Sequence, residues 1–271
     1  MRIALLGGGV IARLFLEDLA RNPAGDASVV AIAGRGPGSR GVALSREFGV
    51  PYVTGTAELI AARPDLVIEA ASHEAVRDHA EKLLDQRIAV MLLSGGALAD
   101  PALRERLEHA ARTNGALLYV PSGGIGGLDA LKAACAAGVD EVTIAVTKPP
   151  AAWKGIDFVE RLGIDLDRLE GATVLFEGSA REGVPHFPAN VNIAAVLSLA
   201  GIGFDRTRLK VVADPALEFN THFIRVKGRT GTIDVRFESV PSPDNPKTAL
   251  LACYSALAAF RQFISPVRYG T

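Results

Sequence analysis

The sequence predicts an α/β chain of two domains: a doubly wound parallel sheet first, an α+β domain with a mostly antiparallel sheet second, and a last helix that returns to the first domain. Three observations predict it. Over residues 1–120, apolar strand-like runs alternate with helical patterns. From Asp140 the chain switches to polar and apolar alternation with period two, the mark of a sheet with one open face. From Asn245 onward it is helical again and apolar enough to be buried. The boundaries that follow are residues 1–120 with 245–271 for the first domain and 121–244 for the second.

The first strand, turn and helix occupy Met1 to Leu16. Ile3-Ala4-Leu5-Leu6 runs into Gly7-Gly8-Gly9 and then Val10 to Leu16, whose apolar residues line one helix face. The spacing Gly7-x-Gly9-x-x-Ala12 is the dinucleotide fingerprint with alanine in third place. Glycines let the amides of a helix N-terminus approach a pyrophosphate, and the helix dipole favours its charge. Gly7, Gly9, Val10 and Ile11 are the candidate contacts, and with the alternation that follows they make this a Rossmann-type domain.

Ser28 to Ala33 is the second strand, and it ends at Gly34-Arg35-Gly36, where many NAD enzymes carry an acidic residue for the ribose. Arg35 can pair with a 2′-phosphate, which leans the cofactor toward NADP alongside NAD; a solvated loop arginine is the other reading. Helical patterns at Arg40–Phe48 and Ala57–Ala62 lead to Asp65–Ala71, a near-continuous apolar run suited to a parallel strand covered on both faces. Its end places Ala71 and Ser72 beside the nicotinamide ribose, since ligands bind at the carboxyl ends of such strands. His73 reads as a surface histidine opening the next helix. A helix at Lys82–Gln86, a strand at Ile88–Ser94, a helix at Asp100–Thr113 and a strand at Ala116–Val120 complete six strands. Asp100-Pro101 is a good helix start.

Pro121 to Gly127 is glycine-dense and feeds a helix, Leu128–Ala137. Such a turn offers free amides to a carboxylate or a carboxamide, so Ser122, Gly123 and Gly124 are candidates. Glu141–Lys148 alternates as a strand, and Phe176–Gly183 and Ala189–Ala200 read as helices. Strands follow at Leu209–Ala213, Glu218–Lys227 and Thr230–Ser239. The last helix starts with Asn245 as cap and Pro246 in the first turn, and runs over Thr248–Phe263.

Composition narrows the function classes. The chain has 271 residues, 49% of them hydrophobic and 22% charged, which argues against disorder. A net charge of -1 and the lack of a basic stripe argue against nucleic acid as a partner. No secretory signal or membrane span is expected, so a cytoplasmic protein is. Cys135 and Cys253, far apart in alanine-rich helices, read as reduced buried thiols, and no metal site is expected.

In Glu218 to Val226 the alternation puts Asn220 and His222 on one face. A histidine titrating near neutral pH with an amide beside it suits proton transfer, and a satisfied structural histidine explains the same pattern. Asn190 and Asn192 carry amides that could hold a nicotinamide or a substrate, although asparagine at a helix start is first a cap. Lys148, Lys154, Arg225 and Lys247 are the cations available to a dicarboxylate.

The chain resembles the L-aspartate dehydrogenase family. The matching pieces are Gly7-Gly8-Gly9 with Ile11, Ser122 to Ala130, Thr147-Lys148-Pro149-Pro150, Phe187 to Ala195, Asn220-Thr221-His222 and Asn245-Pro246-Lys247-Thr248. They cover essentially the whole length. The resemblance implies NAD(P)-dependent oxidative deamination of L-aspartate to iminoaspartate, which becomes oxaloacetate and ammonia or feeds NAD biosynthesis, by a homodimer. It places the family's active-site histidine on His222 and its cofactor contacts on Gly124 and Asn190. The residues themselves add Asn220 to orient His222, and Ser122, Gly123, Lys148 and Asn192 as candidate substrate contacts. Where the family commonly has alanine this chain has Gly124, and a backbone contact survives that change. A homoserine- or sugar-type dehydrogenase on the same architecture is the nearest alternative, and a non-catalytic dinucleotide sensor a more distant one.

Overall fold

Parallel strands buried on both faces need runs of apolar residues rather than alternation, and the first unit is built from such runs. The computed structural model of the chain describes residues 1–187, 190–242, 245–267 and 269, and of residues 241, 242 and 245–248 the backbone alone. The chain divides into two compact units, one of residues 1–121 with 253–268 and one of residues 122–252 with 269–271.

The first unit contains β1 (Arg2–Leu6), α1 (Val10–Arg21), β2 (Ser28–Gly34), α2 (Arg40–Phe48), β3 (Tyr52–Thr54), α3 (Gly55–Ala61), β4 (Leu66–Glu69), α4 (His73–Ala75), α5 (Glu81–Asp85), β5 (Ala89–Leu92), α6 (Pro101–Asn114) and β6 (Leu118–Tyr119). Its six strands lie in the order β3-β2-β1-β4-β5-β6, all parallel. The order reverses beside β1, which makes its carboxyl end the switch point where a dinucleotide binds in such sheets. Asp100 caps α6 by accepting from the amides of Ala102 and Leu103, with Pro101 at the first helical position.

Two glycines of the first turn are required by packing. Gly7 has φ +116°, and a Cβ there would lie 2.6 Å from the Ala70 carbonyl oxygen. At Gly8 a Cβ would lie 2.2 Å from the Gly41 nitrogen, so the turn before α1 packs directly on the backbone of α2. Gly8→Ala is therefore expected to cost about 1–3 kcal/mol as overpacking against atoms that cannot rotate away. Thermal unfolding by circular dichroism reads this as a Tm lowered by several degrees.

The second unit contains α7 (Leu128–Ala137), β7 (Val139–Lys148), α8 (Asp157–Arg161), β8 (Thr173–Ser179), α9 (Ala180–Gly183), α10 (Asn192–Ala200), β9 (Thr207–Ala213), β10 (Asn220–Gly228), β11 (Gly231–Ser239), β12 (Pro241–Ser242), β13 (Asn245–Ala249) and the start of α11 (Leu250–Ile264). Its main sheet has the order β11-β10-β7-β9-β8. Every neighbouring pair is antiparallel except β7 with β9. Val142, Ile144 and Val146 face the core, while Arg225–Asp234, Lys227–Glu141 and Lys210–Glu177 ion pairs decorate the opposite face. From Cys253 onward α11 belongs to the first unit: Phe260 stacks edge-on against Phe15, and Arg261 holds Asp18.

Several expectations need correcting. Phe176–Gly183 is not one helix but the end of β8 followed by the single turn α9, capped by a reciprocal Ser179–Glu182 box. Asn245 does not cap a helix: Asn245–Ala249 is β13, paired antiparallel with β12, and α11 starts at Leu250. Local capping chemistry loses there to a ladder, to which the Leu250 amide adds a bond to the Val240 carbonyl. Helix α10 begins at Asn192 rather than Ala189, and Pro188 and Ala189 lie outside the described residues. Cys253 is buried but Cys135 is only half-buried. Among the described residues no helix is long and apolar enough to cross a membrane, and no group of metal-ligating side chains is found.

Candidate active site

In the first unit the predicted residues share the carboxyl edge of the sheet. Gly7 follows β1 and donates its amide to the Ala33 carbonyl at the end of β2. Gly9 is the N-cap of α1, and among the described residues no side chain caps that helix and a Cβ on Gly9 would meet nothing within 4 Å. An uncapped helix start with open space before it, at the first turns of Val10 and Ile11, fits the pyrophosphate of a dinucleotide. Arg35 is exposed just beyond β2, and Tyr52 fastens its loop by donating to the Gly36 carbonyl at 2.8 Å.

Ala71 and Ser72 follow β4, but their amides point inward. Both donate to Glu69 Oε1, at 2.8 and 3.0 Å, and the Ser94 amide and hydroxyl complete four bonds to the same carboxylate. Glu69 is 1% exposed. Burial pushes its carboxyl above the usual range, and the four donors pull against that shift. The Ser72 hydroxyl caps α4 through the Ala75 amide, and His73, opening that helix, is half-buried. The sequence reading missed Glu69; its signal is a single charged residue closing an apolar parallel strand.

The second unit brings together a polar row on the buried face of its sheet. Ser239 of β11 pairs with Asn220 of β10, and Lys148 of β7, one residue past the Thr147–Thr221 pair, continues the row to Ala213 of β9. His222 stands one row further in, between Phe237 and Val146. Neighbouring strands are about 4.8 Å apart, so these side chains are immediate neighbours. Ser239, Asn220, Lys148 and His222 are each at most 4% exposed.

Alternation puts these polar groups where apolar ones belong, and they do not satisfy one another. Asn220 Nδ2, His222 Nδ1 and Ser239 Oγ have no hydrogen-bond partner among the described residues. Each such group costs about 1–3 kcal/mol when left buried and bare. The expected orientation of His222 by Asn220 is thus not made through these atoms. Three polar atoms without a partner among the described residues on one patch mark it as a candidate ligand-binding surface.

Lys148 is fixed from the other side. Its ammonium donates to the Asn190 carbonyl at 3.1 Å and lies 5.2 Å from the centroid of the Trp153 ring. Trp153 in turn donates to the Val212 carbonyl and meets Phe187 edge-on, and the Asn190 amide donates to the Phe187 carbonyl. Asn190 therefore holds the lysine with its carbonyl and, at 3.5 Å, its side-chain Oδ1, while Val191 takes the N-cap position of α10. Burial lowers the Lys148 pKa to about 8. Burial first and the Lys148 charge second push His222 down to about 3, so the expectation of a histidine titrating near neutrality fails for the free site.

Of the other cations, Lys154 pairs with Asp167 and Arg225 with Asp234 on the exposed sheet face, and the Lys247 side chain lies outside the described residues. Gly126, in the loop that carries Ser122, Gly123 and Gly124, packs on Phe237, the cross-strand neighbour of His222; a Cβ there would lie 2.8 Å from that ring. Gly124 is buried, while Ser122 and Gly123 are half-buried. Asn192 is half-buried at the start of α10. Ser239 went unnoticed in sequence because its partner is fixed by register; the signal is its shared face with Phe237.

Comparison with known proteins finds matches along the whole chain. The model of the family described as "Aspartate dehydrogenase, C-terminal" matches residues 129–263, and that described as "Homoserine dehydrogenase, NAD binding domain" matches residues 7–121. The L-aspartate dehydrogenase of Methanosarcina acetivorans is 50% identical over 207 residues, 76% of this chain and 76% of its own. That of Methanocella arvoryzae is 40% identical over 273 residues, covering 100% of this chain and 99% of its own. The crystal structure of aspartate dehydrogenase from Thermotoga maritima superposes with a TM-score of 0.73 at 28% identity, covering 100% of this chain and 99% of that one.

Proposed function

We propose, since this chain belongs to the L-aspartate dehydrogenase family, that it catalyses the reversible NAD(P)-dependent oxidation of L-aspartate to iminoaspartate, which water converts to oxaloacetate and ammonia. The observation that carries the reading is the buried row of Lys148, Asn220 and Ser239 beside His222, a cation and three unfilled polar atoms in a chain of this family. A dicarboxylate supplies what that row lacks.

The cofactor supplies the acceptor for the Cα hydride, and the residues at Gly7, Gly9, Val10 and Ile11 fit its pyrophosphate. We assign Arg35, Ala71, Ser72, Gly124 and Asn190 to the rest of the cofactor, and Ser122, Gly123 and Asn192 to the substrate. Lys148, held by the Asn190 carbonyl, pairs with a substrate carboxylate. That pairing cancels one of the two effects that hold the His222 pKa down, so the imidazole gains basicity when substrate is in place. His222 then takes the amine proton and later returns a proton as water adds to the imine and ammonia leaves. The family resemblance supports a cytoplasmic homodimer whose product feeds NAD biosynthesis, and light scattering on the purified protein reads the oligomeric state.

The test is an assay of L-aspartate against other amino acids, homoserine and sugars with NAD and NADP. Turnover confined to L-aspartate supports the reading, and turnover of a sugar or homoserine instead overturns it. Arg35→Ala in the same assay is expected to lower the NADP/NAD ratio of kcat/KM roughly tenfold, the worth of one charge-assisted contact. An unchanged ratio makes Arg35 a solvated loop residue.

A further inference from the structure

The geometry points to Asn220 and Ser239 as a two-donor clamp for a substrate carboxylate, built across β10 and β11 beside Lys148. This deepens the function proposed above and rests on it. The two residues face each other in register, both lie on the buried side of the sheet, and both present a polar atom without a partner among the described residues, Nδ2 of Asn220 and Oγ of Ser239. An amide NH2 and a hydroxyl each donate to an oxyanion. Neighbouring strands set the two donors about 5 Å apart at the backbone, close enough for side chains to reach one carboxylate.

Ionised carboxylates accept and cannot donate, so a clamp of donors with a cation at its end selects them over amides and alcohols. Thr221 also has a buried, unpartnered hydroxyl, but it lies on the opposite face and takes no part. Asn220 is in this view a substrate-binding residue and not the residue that orients His222.

Ser239→Ala tests the clamp. Among the described residues the Ser239 hydroxyl has no hydrogen-bond partner, so a purely structural serine would leave Tm unchanged or raised on truncation and leave kinetics alone. The clamp predicts a Tm no lower than that of the wild type together with a KM for L-aspartate about tenfold higher, kcat within about twofold, and an unchanged KM for the cofactor. Succinate, a dicarboxylate without an amine, serves as the second probe: its thermal stabilisation of the wild type should weaken in Ser239→Ala and return in Ser239→Thr. If the wild type turns over L-aspartate and Ser239→Ala matches it in KM and in succinate response, the clamp is wrong while the enzyme assignment stands. A wild type that binds succinate through Ser239 without oxidising L-aspartate upholds the clamp and removes the enzyme assignment.

Discussion

Replacing Lys148 by methionine is expected to lower kcat/KM for L-aspartate by roughly two to three orders of magnitude, the effect of removing one buried partner of a charge pair. Methionine keeps the length and apolar stem that pack against Trp153, so the loss is one of charge. The wild-type kcat/KM should fall as pH rises through about 8, where the free lysine loses its proton, and the variant should lack that limb. Stability has a signature of its own. The folded-state pKa of about 8 lies below the ordinary value of 10.5, so between these values the unfolded chain binds more protons and stability rises with pH. Below pH 8 the buried charge costs the fold up to about 3 kcal/mol, an upper figure set by the size of the shift. Denaturant unfolding at several pH values should show Lys148→Met more stable than wild type at pH 7 and the difference closing toward pH 10. Equal stabilities throughout would mean that the ammonium is solvated.

His222→Ala should lower kcat by roughly 100- to 10,000-fold, the range for a general acid–base group, with the cofactor Kd within about twofold. The glycine turn at Gly7 that fits the pyrophosphate is untouched by this change. NMR of the free protein should find the His222 imidazole neutral throughout the neutral range, with succinate raising its pKa; in Lys148→Met the pKa should also rise, since one of its two depressing causes is gone. Turnover that survives His222→Ala removes the histidine from the chemistry.

The parallel sheet was legible because each strand is a short apolar run that needs no partner to be recognised. Strand β8 was not, for a physical reason. A register shift between Val174 and Phe176 breaks its alternation and leaves Leu175 and Gly178 buried, a spacing of three that imitates a helix. At Asn245-Pro246 a sound capping signature lost to a pairing partner a few residues upstream. In the site, Asn220, His222 and Lys148 could be read from residue type and alternation. That Ser239 stands beside Asn220, and that burial moves His222 away from neutrality, depend on register and solvent exclusion, which a single sequence does not display.

Glu69 gives the edge of the first sheet a direction. At β1 the chain leads into α1, whose opening amides look outward, whereas after β4 the amides of Ala71 and Ser72 are consumed by a carboxylate below them. Hydrogen-bond donors are therefore on offer at one place along the edge and withdrawn at another. A pyrophosphate set at the start of α1 meets donors, whereas an anionic group set over Ala71 and Ser72 would meet amides already spent on a buried carboxyl.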